Sequence, residues 1–263
     1  MAKNYKIIIW HVVVVILAWR LWALSGQVQF NAVTGLDLKI TSLVWFLGVV
    51  TIIGLGYSLF NKRWWSASIS TIVGLLFLVY LGFTWLNLTA VVIFWLCNVW
   101  SEERAISNTS ERIKINIQGT LMSVLRPIVL GFFVMISFSA YQSTFAEQIK
   151  VANQLPSQSL VFIRNIVDKA FGSKLGPDNT RVRNVAVNEI AAGTFQSINL
   201  FLRPYFRWAP PVVAFGLFII LWGLSWLFVY TGSFVGLVIF WILKKTRVVR
   251  IEEKDVKAEI LIV

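Results

Sequence analysis

The sequence predicts an all-α integral membrane protein: a polytopic bundle of about six transmembrane helices, with a small extracytoplasmic helical segment and a short strand-like cytoplasmic tail. Three observations predict it. Apolar residues fall in blocks of 20 to 35, long enough to cross a hydrocarbon layer of about 30 Å. Hydrophobic residues make up 57% and charged residues 14% of the 263, against about 45–50% and about 25% in soluble domains. The chain has 13 tryptophans, and many sit at block ends, where amphipathic rings prefer the membrane interface.

The first block, 5–24, follows Lys3 and Lys6. A cleaved leader also fits its basic start, its apolar run and the small-residue pattern Ala23-Leu24-Ser25. A retained helix is the expectation, because the apolar run is long and Arg20 lies just before that site. Arg20 is about 6 Å of helix rise from the block end, a distance its side chain spans by snorkelling. Trp19 and Trp22 are placed beside it at headgroup level, so these three residues are read as membrane anchors.

The second block, 41–60, ends at the basic turn carrying Lys62 and Arg63, also anchors. Next come 35 residues without a charge, 66–100, interrupted by "LGFTWLNLT" at 81–89. A single helix of that length would be about 52 Å long, beyond the membrane core. The same holds for 209–243, so each long block is either a hairpin or one helix that projects into water. Lysine and arginine hold their flanks on the cytoplasmic side, which places the Lys3/Lys6 start and the basic tail, with anchors Lys244 and Lys245, together inside. Two inner ends require an even number of spans, so one long block is a hairpin. Splitting the first is the expectation, because its halves around Asn87 are about equal in length, whereas splitting 210–243 leaves only about ten apolar residues after Gly232-Ser233, short for a span. It gives spans of about 66–82 and 85–100 and leaves 209–243 as one crossing; splitting the second instead reverses the sides of the intervening segments. The span 120–141 begins near Arg126, a further anchor, with Pro127 read as a first-turn residue.

The membrane region 1–141 is followed by the segment 142–208, read as extracytoplasmic. Leu160, Ile163 and Val167 recur at helical spacing, and so do Ile190, Ile198 and Phe201. Two amphipathic helices here would lie on the membrane, pack on each other or cap the bundle. Their apolar stripes are the expected partner surface, within 157–205. In the tail, 244–263, "RVVRI", "EEKD" and "VKAEILIV" read as strand, turn, strand. An isolated hairpin is marginal in water, so it would complete a partner's sheet; the other reading is a solvated basic extension.

The residue inventory restricts function. The 24 basic against 12 acidic residues are spread over every polar segment, which suits anionic lipid headgroups rather than nucleic acid. Cys97 and His11 are each the only residue of their kind, so no cysteine cluster holds a metal, and neither metal nor other cofactor is expected. No Asp or Glu falls inside an apolar block, whereas ion-coupled pumps usually keep an intramembrane carboxylate. No HExxH, GxxxxGK[ST] or GxGxxG occurs. The expectation is therefore a multi-pass cell-membrane protein that is no enzyme. It would be a structural or partner-binding component of a membrane or envelope complex, touching lipid everywhere and protein partners through 157–205 and the tail. The other reading is a channel or passive transporter for an anionic or uncharged solute, since a pore without an acidic ring favours such species.

Overall fold

The computed structural model describes residues 2–25, 30–31, 35–36, 40–60, 63–110, 116–143, 146–147, 150–151, 154–155, 157–171 and 180–249. Lys62, the side chain of Arg63 and the tail from residue 250 onward lie outside the described residues. Helices α1 (Ala2–Ser25), α2 (Ile40–Phe60), α3 (Arg63–Leu81), α4 (Trp85–Ser110) and α5 (Ile117–Tyr141) come first. They are followed by α6 (Gln158–Phe171), α7 (Thr180–Leu202), a 3-10 stretch (Arg203–Trp208), α8 (Ala209–Gly223) and α9 (Ser225–Lys245). A two-residue antiparallel pair, Phe30–Asn31 with Gly35–Leu36, lies between α1 and α2.

Six helical runs are long and apolar enough to cross a membrane: α1, α2, α3, α5, the 42-residue run Val182–Gly223, and α9. This is the make-up of a multi-pass membrane protein. Large apolar side chains face outward around the bundle, among them Trp85, Val92, Phe234 and Trp241. In water such a surface would be a liability, whereas in lipid it is the required solvent-facing side. Lys6 Nζ donates to the Val248 carbonyl at 2.7 Å, so the start of α1 and the end of α9 share one end of the bundle, called here the near end. The α3–α4 turn and the end of α5 form the far end.

The uncharged block 66–100 folds as a hairpin. Gly82 takes φ +94°, a backbone conformation open to glycine and strained for other residues. Asn87 locks the turn. It is buried, its amide nitrogen donates to the carbonyls of Leu81 (3.0 Å) and Gly82 (2.9 Å), and its side-chain oxygen accepts from Gln142 Nε2 (2.8 Å). The carbonyls at the end of α3, which have no partner within the helix, are satisfied in this way. The block 209–245 is not a hairpin. Its only interruption is Leu224, whose φ −87° and ψ −2° keep the chain running onward.

Helix α5 is the hub, packing against α2, α4, α8 and α9. Leu121, Leu125, Ile128 and Phe132 are fully enclosed along its length. Glycine permits two of the close approaches: a Cβ on Gly131 would lie 2.9 Å from the Phe94 ring, and one on Gly54 would lie 2.7 Å from Leu125. By contrast Gly216 and Gly223 have nothing within 4 Å.

Pro127 is the eleventh residue of α5 and not in its first turn, because the helix begins at Ile117, capped by Asn116, whose side-chain oxygen accepts from the Gly119 amide at 3.0 Å. A mid-helix proline leaves the carbonyl four residues back without its amide partner. That carbonyl belongs to Ser123, and it accepts from Arg104 Nη1 at 3.4 Å. One residue on, the Val124 carbonyl accepts from Ser101 Oγ at 3.0 Å. Helix α4 therefore supplies the donor that α5 lacks.

The expected strand from Arg247 is not formed over its described part. Arg247 has φ +60°, and the amides of Val248 (3.0 Å) and Val249 (3.2 Å) both turn back to the Leu243 carbonyl. This closes the end of α9 as a left-handed cap.

Candidate functional site

Two places bring together side chains that packing alone does not account for: the α6–α7 hairpin and a polar cluster at the near end. The hairpin is the better candidate for a recognition surface.

Helices α6 and α7 are joined by a small apolar seam of Val167, Val187 and Ala191, with Ile163 against it. Arg183 reaches across to Asp168, Nη2 to Oδ1 at 2.7 Å and Nε at 3.2 Å. At the base, the Leu155 amide donates to Asn199 Oδ1 at 2.7 Å, tying the preceding segment to the last turn of α7. Among the described residues neither helix makes an extended contact with α1–α5. The pair is thus an arm, with α7 about 34 Å long at 1.5 Å per residue.

This geometry corrects one expectation. Ile163 and Val167 do not form an open partner surface, because they hold α6 to α7. Leu160 is half-buried. Of the α7 residues, Ile190 and Phe201 are exposed and Ile198 is half-buried. The apolar groups that remain open on α6 are Val161, Phe162 and Ile166, and on α7 they include Val182, Val185 and Leu200. The sequence pattern marked a wide stripe but not which half of it the sister helix would take.

At the near end, α4 continues as a helix through "SEER" and buries what looked like a solvated segment. Glu102 is 4% exposed and accepts a hydrogen bond from Ser66 Oγ of α3. The absence of any acid from the apolar blocks therefore does not mean an acid-free bundle, since one carboxylate sits inside the packing at its near rim. The signal was present in the sequence: Asn87, Ala90, Phe94, Asn98 and Glu102 form one helical face, and all are buried. Nearby, the Tyr57 hydroxyl donates to Asn98 Oδ1 at 2.7 Å, and Asn98 donates to the Phe94 carbonyl at 2.8 Å. His11 pairs through Nδ1 with the Ile7 carbonyl and through Nε2 with Ser68 Oγ, each at 2.9 Å. A carbonyl only accepts, so Nδ1 carries a proton, and in the neutral ring the Ser68 hydroxyl donates to Nε2. Trp65 packs edge-on to the His11 ring, with centroids 4.4 Å apart. Among the described residues, no three His, Cys, Asp or Glu side chains gather as metal ligands would.

Comparison with known proteins finds no matching family model, no matching curated protein and no matching solved structure. The functional reading therefore rests on geometry alone.

The residues read as anchors divide. Arg20 is exposed near the far end of α1 with its guanidinium 5.6 Å from the Trp19 ring, and the Trp19 indole donates to the Tyr80 hydroxyl. Lys244 and Lys245 are exposed at the near end, Lys245 lying 5.2 Å from the Trp241 ring. Arg126 is exposed too. It is the tenth residue of α5, two residues beyond Val124, whose carbonyl Ser101 reaches. Trp22 is different. It is 1% exposed, with its ring packed on Phe77 and Phe132, and so belongs to the apolar core of the bundle.

Proposed function

We propose that this protein is a structural component of a cell-membrane or envelope complex, with no catalytic role, whose α6–α7 arm docks another protein. The observation that carries this reading is a contrast in packing. On the central helix α5, Leu121, Val124, Leu125, Ile128, Val129, Phe132 and Phe133 are all buried, and this apolar packing speaks against a water-filled path and so against a pore for anions or neutral solutes. The arm, in contrast, stands clear of the bundle and presents Phe162 and Ile166, four residues apart on one face of α6, to its surroundings. Exposed aromatic and branched side chains outside a membrane mark interaction surfaces. In this reading both chain ends and the near end are cytoplasmic, the arm is outside, and the residues after 249 offer a second contact.

The test is a photoreactive amino acid at position 162 in the intact protein, in its native membrane. A discrete cross-linked protein species should form there and not from position 241 on α9. It should vanish when Ile166→Ser is added, with Val167 left in place to keep the hairpin. If position 162 cross-links only to lipid, and purified protein in liposomes conducts chloride or passes glycerol, the scaffold reading fails and the pore reading replaces it.

A further inference from the structure

Four cations gather at the near end, where α1 begins and α9 closes. Lys6, Lys244, Lys245 and Arg247 are all exposed, and the 2.7 Å bond from Lys6 Nζ to the Val248 carbonyl draws the two elements together. Arg247 stands in the left-handed conformation, φ +60°, at a cap position that glycine usually fills. A guanidinium therefore occupies a place where closing the helix requires no side chain.

The surrounding helices do not neutralise this charge. Helix α1 packs against α2 and α3, and α9 packs against α2, α5 and α8. None of these six helices contains an Asp or a Glu. Helix α4, which carries Glu102 and Glu103, makes no extended contact with α1 or α9 among the described residues. The negative end of the α9 dipole is worth about half a charge, against four. Among the described residues, most of the positive charge is left without a counter-charge.

The depth of the patch selects the anion that supplies one. Tyr5, beside Lys6, is 67% exposed, and Trp241 is 61% exposed with its ring 5.2 Å from Lys245 Nζ. Outward-facing tyrosine and tryptophan at the ends of apolar spans mark the headgroup level, and each of the two helices carries one. The anion abundant at that level is lipid phosphate. One snorkelling cation is enough to anchor a span, whereas four from two helices form a cradle. Lys6 keeps two N–H donors after serving Val248, and the Arg247 guanidinium is a planar fork that grips two phosphate oxygens.

We infer that the meeting point of α1 and α9 binds the headgroup of an anionic phospholipid, with its phosphate between Lys6 and Arg247. Lys244 and Lys245 supply the preference for a net negative headgroup over a zwitterionic one. This rests on the chain being membrane-embedded, and neither on the arm having a partner nor on which side the near end faces.

The experiment titrates the full chain, in neutral detergent micelles, with palmitoyl-oleoyl phosphatidylglycerol or with the matching phosphatidylcholine. Native mass spectrometry reads the first bound lipid. Phosphatidylglycerol should bind the tighter, and Lys6→Gln and Arg247→Gln should each weaken it about fivefold while phosphatidylcholine binding holds. Lys169→Gln removes the same charge from the arm and should change nothing. If Lys6→Gln does not fold, Lys245→Gln, which leaves the Lys6–Val248 bond in place, serves the same purpose. Equal binding of the two lipids would overturn the inference. So would a preference that survives the paired Lys6→Gln and Arg247→Gln substitutions, or one that falls equally with Lys169→Gln. Displacement by inorganic phosphate at the lipid's own concentration would assign the patch to a soluble anion and overturn it. A preference that emerges only after Glu252→Gln and Glu253→Gln would give the patch to the chain's own tail and overturn it as well.

Discussion

Arg104 illustrates what a single side chain does in a low-dielectric bundle. Its stem and guanidinium stack on Trp100, 4.3 Å from the ring, and one nitrogen serves the Ser123 carbonyl that Pro127 leaves without an amide. An unsatisfied backbone carbonyl away from water costs about 1–3 kcal/mol. Arg104→Leu should therefore lower stability by about that amount, read as a shift of the unfolding midpoint in mixed micelles. In a Pro127→Ala background the backbone amide restored at that position reaches the same carbonyl, so Arg104→Leu should cost markedly less. Equal costs in the two backgrounds would mean that Arg104 acts through Trp100 or through charge and not through the freed carbonyl. The proline was visible in the sequence, but its partner was not, because the pairing depends on α4 continuing four residues past Trp100 into a segment dense in charge.

Elements with strong periodicity or long apolar runs were legible: the spans and the two helices of 142–208, the second of which is followed by a 3-10 stretch with Pro204 in its first turn and by α8 beginning at Ala209-Pro210-Pro211. What failed was the assignment of faces. Trp22 reads as an interfacial ring by residue type, yet the Phe77 and Phe132 rings claim it. Ile163 and Val167 read as a free stripe, yet Val187 and Ala191 occupy it. A helical wheel shows which side is apolar and is silent on which neighbour covers it. The arm yields a sharp expectation at this scale. Val187→Asp puts a charge into a seam of only a few side chains and should open the hairpin, since the Arg183–Asp168 pair, about one-third to one-half exposed, contributes at most about 1 kcal/mol. Hydrogen exchange should then rise across 158–202 and stay unchanged in α2 and α5. Loss of protection in α5 as well would make the arm a part of the bundle's own fold.

The whole chain is arranged so that its described beginning and end meet, Lys6 against Val248, which requires an even number of crossings. Fusions of alkaline phosphatase, active only outside the cytoplasm, should be active after Ser157 and inactive after Val249. Activity at both sites would mean that the α8–α9 run does not cross the membrane, and the reverse pattern would turn the molecule over. The basic flanks led to the expectation that the two ends share a side, and the equal halves of 66–100 favoured it as the block that doubles back. The lock was not legible, because the Gly82–Asn87 turn is held by Gln142 from a distant place in the chain. From Thr180 to Lys245 the backbone stays helical apart from Leu224, passing through α7, the 3-10 stretch, α8 and α9. At about 1.5 Å per residue, and somewhat more in the 3-10 stretch, this path approaches 100 Å. Mechanically it is a jointed rod, with one joint at the proline-bearing stretch Arg203–Trp208 and another at Leu224. A tug on the arm would pass along this path, through both joints, to α9, whose Gly232 and Gly236 lie against Thr51 and Leu121 inside the bundle.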